Sequence, residues 1–194
     1  MDIRPITLEG NIVRLEPLSM NHLDGLSAVG LDEELWHYTT TVVRSRGDME
    51  RYIEGALELQ KQGMALPFAI IEKSTGRAIG STRFANIDHS NRRAEIGWTW
   101  VGRQWQRTAV NTECKFLLLR HAFETLKCIR VEFKTDSLNQ QSKKALARIG
   151  AKEEGVFRSH MIMPNGRIRH SVYFSIVDSE WPDVKKELQE KLQR

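Results

Sequence analysis

The chain has 194 residues, 40% hydrophobic and 28% charged, with 29 basic residues against 25 acidic ones for a net charge of +4. This is the composition of one globular domain with a sizeable core. The mild basic surplus suits a polyphosphate ligand but lacks the long basic run of a nucleic-acid tail. No apolar run approaches the roughly 18–20 residues that span a bilayer, Met1–Pro5 is not followed by the apolar stretch of a signal peptide, and two cysteines, Cys114 and Cys128, argue against a disulfide framework or a zinc site and for a reducing cytoplasm.

In chain order, Asn11–Leu18 alternates and reads as an opening strand, with Ile12, Arg14 and Glu16 set against Val13, Leu15 and Pro17. Residues 20–36 read as irregular helix. Asp48–Gln62 is an amphipathic helix with Met49, Tyr52, Ile53, Ala56 and Leu57 on one face, Asp48 as its cap and Gly63 at its stop. Pro67–Glu72 and Ala78–Asn86 form a hairpin around Lys73–Arg77, and Ala94–Val101 is a third strand after the polar turn His89–Arg93. An irregular stretch, Gly102–Asn111, leads to a helix, Thr112–Leu126, that is apolar on most sides and therefore buried on the sheet.

Cys128–Thr135 is the next strand. Asn139–Ile149 is a helix with Asn139 as cap and Gly150 past its end. Val156–Met163 and Arg167–Val177 flank Asn165-Gly166, a hairpin signal, and a tail helix carries Trp181, Val184, Leu188 and Leu192. With no repeat, linker or low-complexity segment, the chain reads as one domain over 1–194, the tail helix occupying 181–194. A meander feeding a βαβ crossover and closing in a hairpin predicts an α/β (α+β) fold with a mixed, mostly antiparallel sheet of about seven strands.

The chemistry concentrates where the strand Glu95–Val101 ends and the chain turns through Gln106–Asn111 into the buried helix. The first amides of a helix lack partners and carry the positive end of its dipole, which makes such a turn a phosphate site. Arg103 and Arg107 add charge beside it. This segment resembles the coenzyme A loop of the GNAT acetyltransferases, Gln/Arg-x-x-Gly-x-Gly/Ala, read here as Gln106-x-x-Ala109-x-Asn111. Ala109 permits close approach of a pyrophosphate but disfavours φ > 0, and Asn111 is bulkier than the pattern.

Three further features carry the resemblance. Thr99-Trp100-Val101 occupies the place of the strand that pairs with the pantetheine arm. Asn139-Gln140-Gln141-Ser142 and Gly150-Ala151 match the helix of the next crossover. Ile12–Leu18 and Glu95-Ile96-Gly97-Trp98 resemble the RimJ/RimL branch, which acetylates protein N-termini and related amines. The resemblance covers nearly the whole chain.

It implies acetyl-CoA as co-substrate, no metal, an amine as acceptor, no membrane partner and no direct nucleic-acid binding. An exposed closing hairpin offers an edge to a second copy. The coenzyme is expected between Ala94–Val101 and Cys128–Thr135, on Thr99, Trp100, Val101, Gln106, Arg107, Thr108, Ala109, Val110, Asn111, Thr112, Asn139 and Ser142. The amine enters from the opposite side, over the irregular N-terminal helices and the closing hairpin.

Glu95 is the candidate general base, and by strand alternation it shares a face with Gly97, Thr99 and Val101. Its other reading is a glutamate paired with a neighbouring arginine. Ser142 is the candidate partner of the leaving sulfur, the tyrosine that many members carry one turn later being Leu146 here. Its other reading, like that of Asn139, is helix capping. Trp98 and Trp100 are placed opposite Glu95, in the core or along the acceptor cleft. Lys143, Lys144 and Arg148 form a basic face near the family's site for the 3′-phosphate. The six histidines do not cluster in sequence, and His121 reads as core. Two other functions fit the same residues: a non-catalytic acyl-CoA sensor, or a nucleotide-binding protein, which the absence of Gly-x-Gly-x-x-Gly disfavours.

Overall fold

The computed structural model describes residues 1–193. Its single sheet has eight strands in the order β1-β2-β3-β4-β5-β6-β8-β7. These are β1 (Leu8–Glu9), β2 (Val13–Pro17), β3 (Ala65–Glu72), β4 (Ala78–Asp88), β5 (Arg93–Val101), β6 (Arg130–Asp136), β7 (Lys152–Ile162) and β8 (Ile168–Val177). Only β5 and β6 run parallel. The strand beyond the expected seven is β1, two residues that pair with Leu15 and Arg14. Five α-helices flank the sheet: α1 (Leu23–Gly30), α2 (Arg46–Lys61), α3 (Ala109–Arg120), α4 (Gln140–Arg148) and α5 (Trp181–Leu192).

Alternation along the strands divides the interior into two cores. Leu15, Phe68, Ile70, Phe84, Ile96 and Phe133 face α3 and α5, whereas Ala69, Ile71, Ala78 and Trp100 face α1 and α2. Phe68, Phe84 and Phe133 are fully buried, each worth about 1.5–3 kcal/mol of burial.

Glu113 of α3 is buried against the larger core. It accepts the backbone N–H groups of Asn11, Ile12 and Val13 at 2.8, 2.8 and 2.7 Å. Three donors of the β1–β2 turn and the first residue of β2 are thereby satisfied, and the turn is fastened to α3.

Helix ends refine the sequence reading. Ser45, not Asp48, caps α2. Its hydroxyl accepts the Asp48 amide and donates to the Asp48 carboxylate, so the pair forms a reciprocal cap. Helix α3 starts at Ala109, three residues earlier than expected, because the Thr108 side chain accepts from the Val110 amide, and it ends in a π-helical turn, His121–Thr125. Asn139 does cap α4. Gly166, at φ +81, supplies the left-handed residue that turns β7 into β8. Strand β7 begins at Lys152, ahead of the predicted Val156, because Lys152 and Glu153 pair with Ser175 and Phe174.

Candidate active site

The parallel pairing of β5 with β6 covers only Arg93–Glu95 against Arg130–Glu132. Past Glu95 the two strands are unpaired and the sheet opens. Strand β5 remains paired on its other side to β4, so its free edge faces the opening.

Two bulges shape this stretch. Gly97 pairs with Arg83 and Trp100 with Ser81, so Trp98 and Thr99 together oppose the single residue Thr82. Trp98 has φ +47, a left-handed conformation that costs a non-glycine residue about 1–2 kcal/mol. The second bulge opposes Asn86 and Ile87 to Ala94, with Asn86 at φ +47, a conformation asparagine tolerates.

The bulge at Trp98 corrects the predicted alternation, since one extra residue reverses every side chain beyond it. Ala94, Ile96 and Val101 enter the α3 core, while Trp100 enters the α1–α2 core. Glu95 therefore shares its face with Trp100 and not with Thr99 or Val101. Thr99 points toward α3, where its Oγ1 meets Thr82 Oγ1 at 2.8 Å and accepts from Lys115 Nζ at 2.7 Å. Trp98 too lies on the face of Glu95, its ring over Arg83 and Lys134.

Around Glu95 the fold gathers a polar cluster. The Glu95 side chain is 4% exposed, with Lys134 Nζ 3.6 Å from Oε2, and Asn86 Nδ2 donates to the same oxygen at 2.7 Å. Of its two sequence readings, pairing with Arg92 or Arg93 is not seen: Arg93 pairs with Asp88 and Glu132. The Arg83 guanidinium lies 5.1 Å from the Tyr52 ring centre and 5.2 Å from that of Trp98. Lys134 approaches the rings of Trp98 and Tyr173, at 5.9 Å each.

Tyr173 stands 5.9 Å from His160. Burial lowers the His160 pKa, and Lys134 and Arg169 lower it further. Burial raises the Tyr173 pKa, helped by the Glu95 charge. Arg169 donates to Ser171 Oγ and to the carbonyl of Tyr38, tying β8 to the irregular segment before α2. The cluster thus draws on α2, five strands and that segment.

On the other side of the opening lies the Gln106–Asn111 loop. Gln106 Nε2 donates to the carbonyl of Val101 at 3.2 Å, and Gln106 Oε1 accepts from Gln141 of α4 at 3.3 Å. The loop is therefore pinned both to the strand end and to the next crossover. Its left-handed residue is Arg107, at φ +60, so Ala109 needs no positive φ. Asn111 lies inside the first turn of α3 rather than in the loop.

At the start of α3 the amides of Thr108, Ala109, Val110 and Asn111 lack helical partners, that of Val110 being taken by the Thr108 hydroxyl, and Thr112 is the first whose amide the helix uses. The Thr112 hydroxyl accepts from Arg148 at 3.0 Å, which turns that arginine of the basic face toward α3. Lys143 of the same face lies 3.8 Å from Glu153, and Lys144 is exposed. The Ser142 amide donates to Asn139 Oδ1 at 2.9 Å, and its half-buried side chain lies outside that cap.

Lys115 is a residue the sequence reading passed over. It is buried, donates to Thr99 and lies 5.9 Å from the Phe133 ring. Burial pushes its ammonium down to about 8. A lysine on a helix otherwise apolar at most positions was its signal. Among the described residues no group of three or more His, Cys, Asp and Glu is placed to hold a metal, and no helix is long and apolar enough to cross a membrane.

A mixed sheet that opens between its one parallel pair, with a helix N-terminus at the mouth, defines an α/β acyltransferase fold. The chain belongs to the GNAT family: the model of the GNAT acetyltransferase domain matches residues 13–152, and the chain is an N-acetyltransferase of that family. It is 30% identical over 179 residues to the uncharacterized N-acetyltransferase p20 of Bacillus licheniformis, covering 90% of this chain and 98% of that one.

It is 25% identical over 125 residues to the ribosomal protein uS5-alanine N-acetyltransferase of Escherichia coli, spanning 64% of this chain and 63% of that enzyme. Among solved structures, a GCN5-related N-acetyltransferase from Brucella melitensis superposes with a TM-score of 0.91 at 33% identity, over 99% of this chain and 87% of that one. Mycobacterium smegmatis RimJ in complex with CoA-disulfide shares the fold, with a TM-score of 0.82 at 23% identity over 96% and 95% of the two chains.

Proposed function

We propose that this protein transfers the acetyl group of acetyl-CoA to a primary amine, on a protein N-terminus or a small molecule, by direct attack on the thioester. The observation that carries the reading is the opening of the sheet past Glu95, with the free edge of β5 on one side and the amides of Thr108–Asn111 at its mouth. An open strand edge accepts an extended, amide-bearing arm as an added strand, and a helix N-terminus accepts a pyrophosphate. Both fit coenzyme A, which when bound supplies an acyl group activated as a thioester. The family's use of acetyl-CoA supports the same reading.

Thr99, Trp100 and Val101 would hold the pantetheine arm, Gln106 to Thr112 the pyrophosphate, and Asn139 an amide of the arm. Glu95 receives the proton that the attacking nitrogen must lose, directly or through one water. It lies on the α1–α2 face, with Lys134 Nζ 3.6 Å from its Oε2. As the carbon–sulfur bond breaks, the Ser142 hydroxyl donates a hydrogen bond to the departing thiolate. We also place the protein in the cytoplasm as one domain. Both cysteines are free and buried, and both cores rest on one sheet.

Measuring coenzyme release over a panel of amines tests the reading. Turnover should fall at least ten-fold in Glu95→Gln and several-fold in Ser142→Ala, with coenzyme affinity little changed in the former. Tight coenzyme binding with no turnover on any amine would instead make the protein an acyl-CoA sensor.

A further inference from the structure

We propose that the acceptor carries a carboxylate within a few bonds of its amine, and that Arg83 receives it. The inference rests on the acetyltransferase reading and specifies its acceptor. Arg83 lies in a central strand, 3% exposed, and its Nε has no hydrogen-bond partner among the described residues. The Tyr52 and Trp98 rings lie against it. Rings of this kind stabilise the charge of a guanidinium but accept none of its in-plane N–H bonds.

Nor does a neighbouring carboxylate neutralise it. Glu132 is engaged by Arg93 and Arg130, Asp136 by Arg167, and Glu95 by Lys134 and Asn86. Arg169, 6% exposed, likewise bonds only to a hydroxyl and a carbonyl among the described residues. The face of the sheet holding Glu95 therefore has two buried guanidinium groups in excess of its carboxylates. A buried charge left unpaired is costly, and a planar fork with its edge unused is the group that best matches a carboxylate.

Register fixes where that carboxylate would sit. Arg83 pairs with Gly97, and Glu95 is two residues along on the same face, a diagonal neighbour at about 7–8 Å between backbone positions. Gly97, directly opposite Arg83, contributes no side chain to the space between them. An amine delivered to Glu95 thus brings Arg83 within reach of a carboxylate on the same small molecule, or on one of the first residues of a peptide.

The test uses matched acceptors on the full chain. Phenylalanine is compared with phenylalanine amide, and an Ala-Glu peptide amide with its Ala-Gln counterpart. The proposal expects at least one acidic member to be favoured by on the order of 10–100-fold in kcat/KM; which pair shows it separates a free amino acid from a peptide.

Arg83→Gln should abolish that preference through KM, with the acidic member losing on the order of ten-fold more than the neutral one and coenzyme affinity retained. Arg83→Lys, which keeps the charge without the fork, should restore part of it. If Arg83→Gln fails to fold, the wild-type preference and its reduction in Arg83→Lys carry the test. Equal turnover of acidic and neutral members, or equal loss on both in Arg83→Gln, overturns the proposal alone. Absence of turnover on every amine overturns the acetyltransferase reading and this one with it.

Discussion

The carboxylate of Glu95 folds back over Gly97: a Cβ added at Gly97 would lie 2.9 Å from Glu95 Oε1. No side chain can be placed at 97 without displacing that carboxylate. The neighbour that must yield is the end of a flexible side chain, so the fold survives while the carboxylate moves.

Gly97→Ala is therefore expected to lower kcat at least ten-fold, while the melting temperature shifts by only a few degrees. Steady-state kinetics beside differential scanning calorimetry check this. Full activity in Gly97→Ala would mean that the position of the Glu95 carboxylate does not matter to turnover.

Glu113 should dominate the stability of the N-terminal hairpin. Glu113→Ala leaves the buried amide of Val13 and the part-buried amides of Asn11 and Ile12 without their acceptor. With about 1–3 kcal/mol for each buried group stranded, a loss of about 3–5 kcal/mol is expected in urea unfolding. Glu113→Gln retains one acceptor oxygen and should lose less.

Lys115 gives a pH signature. Its folded value near 8 lies below the ordinary lysine value of 10.5. Between the two, the unfolded chain binds the proton and the folded chain does not, so stability rises with pH across that window and is flat in this group below about 8. Lys115→Met removes the effect. The stability of wild type relative to Lys115→Met should rise from pH 7 to pH 10.5 by on the order of 2–3 kcal/mol, read from denaturation midpoints at each pH.

Arg107 separates backbone from charge in the coenzyme loop. Its φ of +60 suits glycine, so Arg107→Gly should gain about 1 kcal/mol in stability, less whatever the looser unfolded chain takes back. It should also weaken coenzyme binding a few-fold through the lost cation. Arg107→Ala should lose the same affinity with no gain in melting temperature. Titration calorimetry and thermal melts distinguish the two.

Most elements were legible because local signals mark them. Asn165-Gly166 marks a hairpin, Asn139 a cap, and Met49 to Leu57 a helical stripe. The crossover and the meander followed from their order. The bulge at Trp98 was not legible: a left-handed tryptophan carries no turn signal, and without the bulge simple alternation grouped Glu95 with Thr99 and Val101 instead of with Trp98 and Trp100. The acceptor-side cluster was hidden for another reason. Arg83, Lys134, Arg169 and Tyr173 meet only when β4–β5 is joined to β6–β8 through the parallel β5–β6 pairing, which is non-local. Arg83 did leave a trace, as a lone charge in a strand whose neighbours from Ala78 to Ala85 are all buried.

Only three residues of each strand pair along the backbone between β5 and β6, with the Arg93–Glu132 and Lys134–Glu95 ion pairs beside them, so the sheet is two blades, β1–β5 and β6–β8, meeting at a short seam. A ligand lying along the open edge would act as a splint across that seam, contributing cross-blade contacts the polypeptide lacks. Opening of the blades and departure of coenzyme then become one coupled equilibrium. At a coenzyme concentration of 100 times Kd the splint is worth about 2.7 kcal/mol, and amide exchange in β6 and β8 should slow with it.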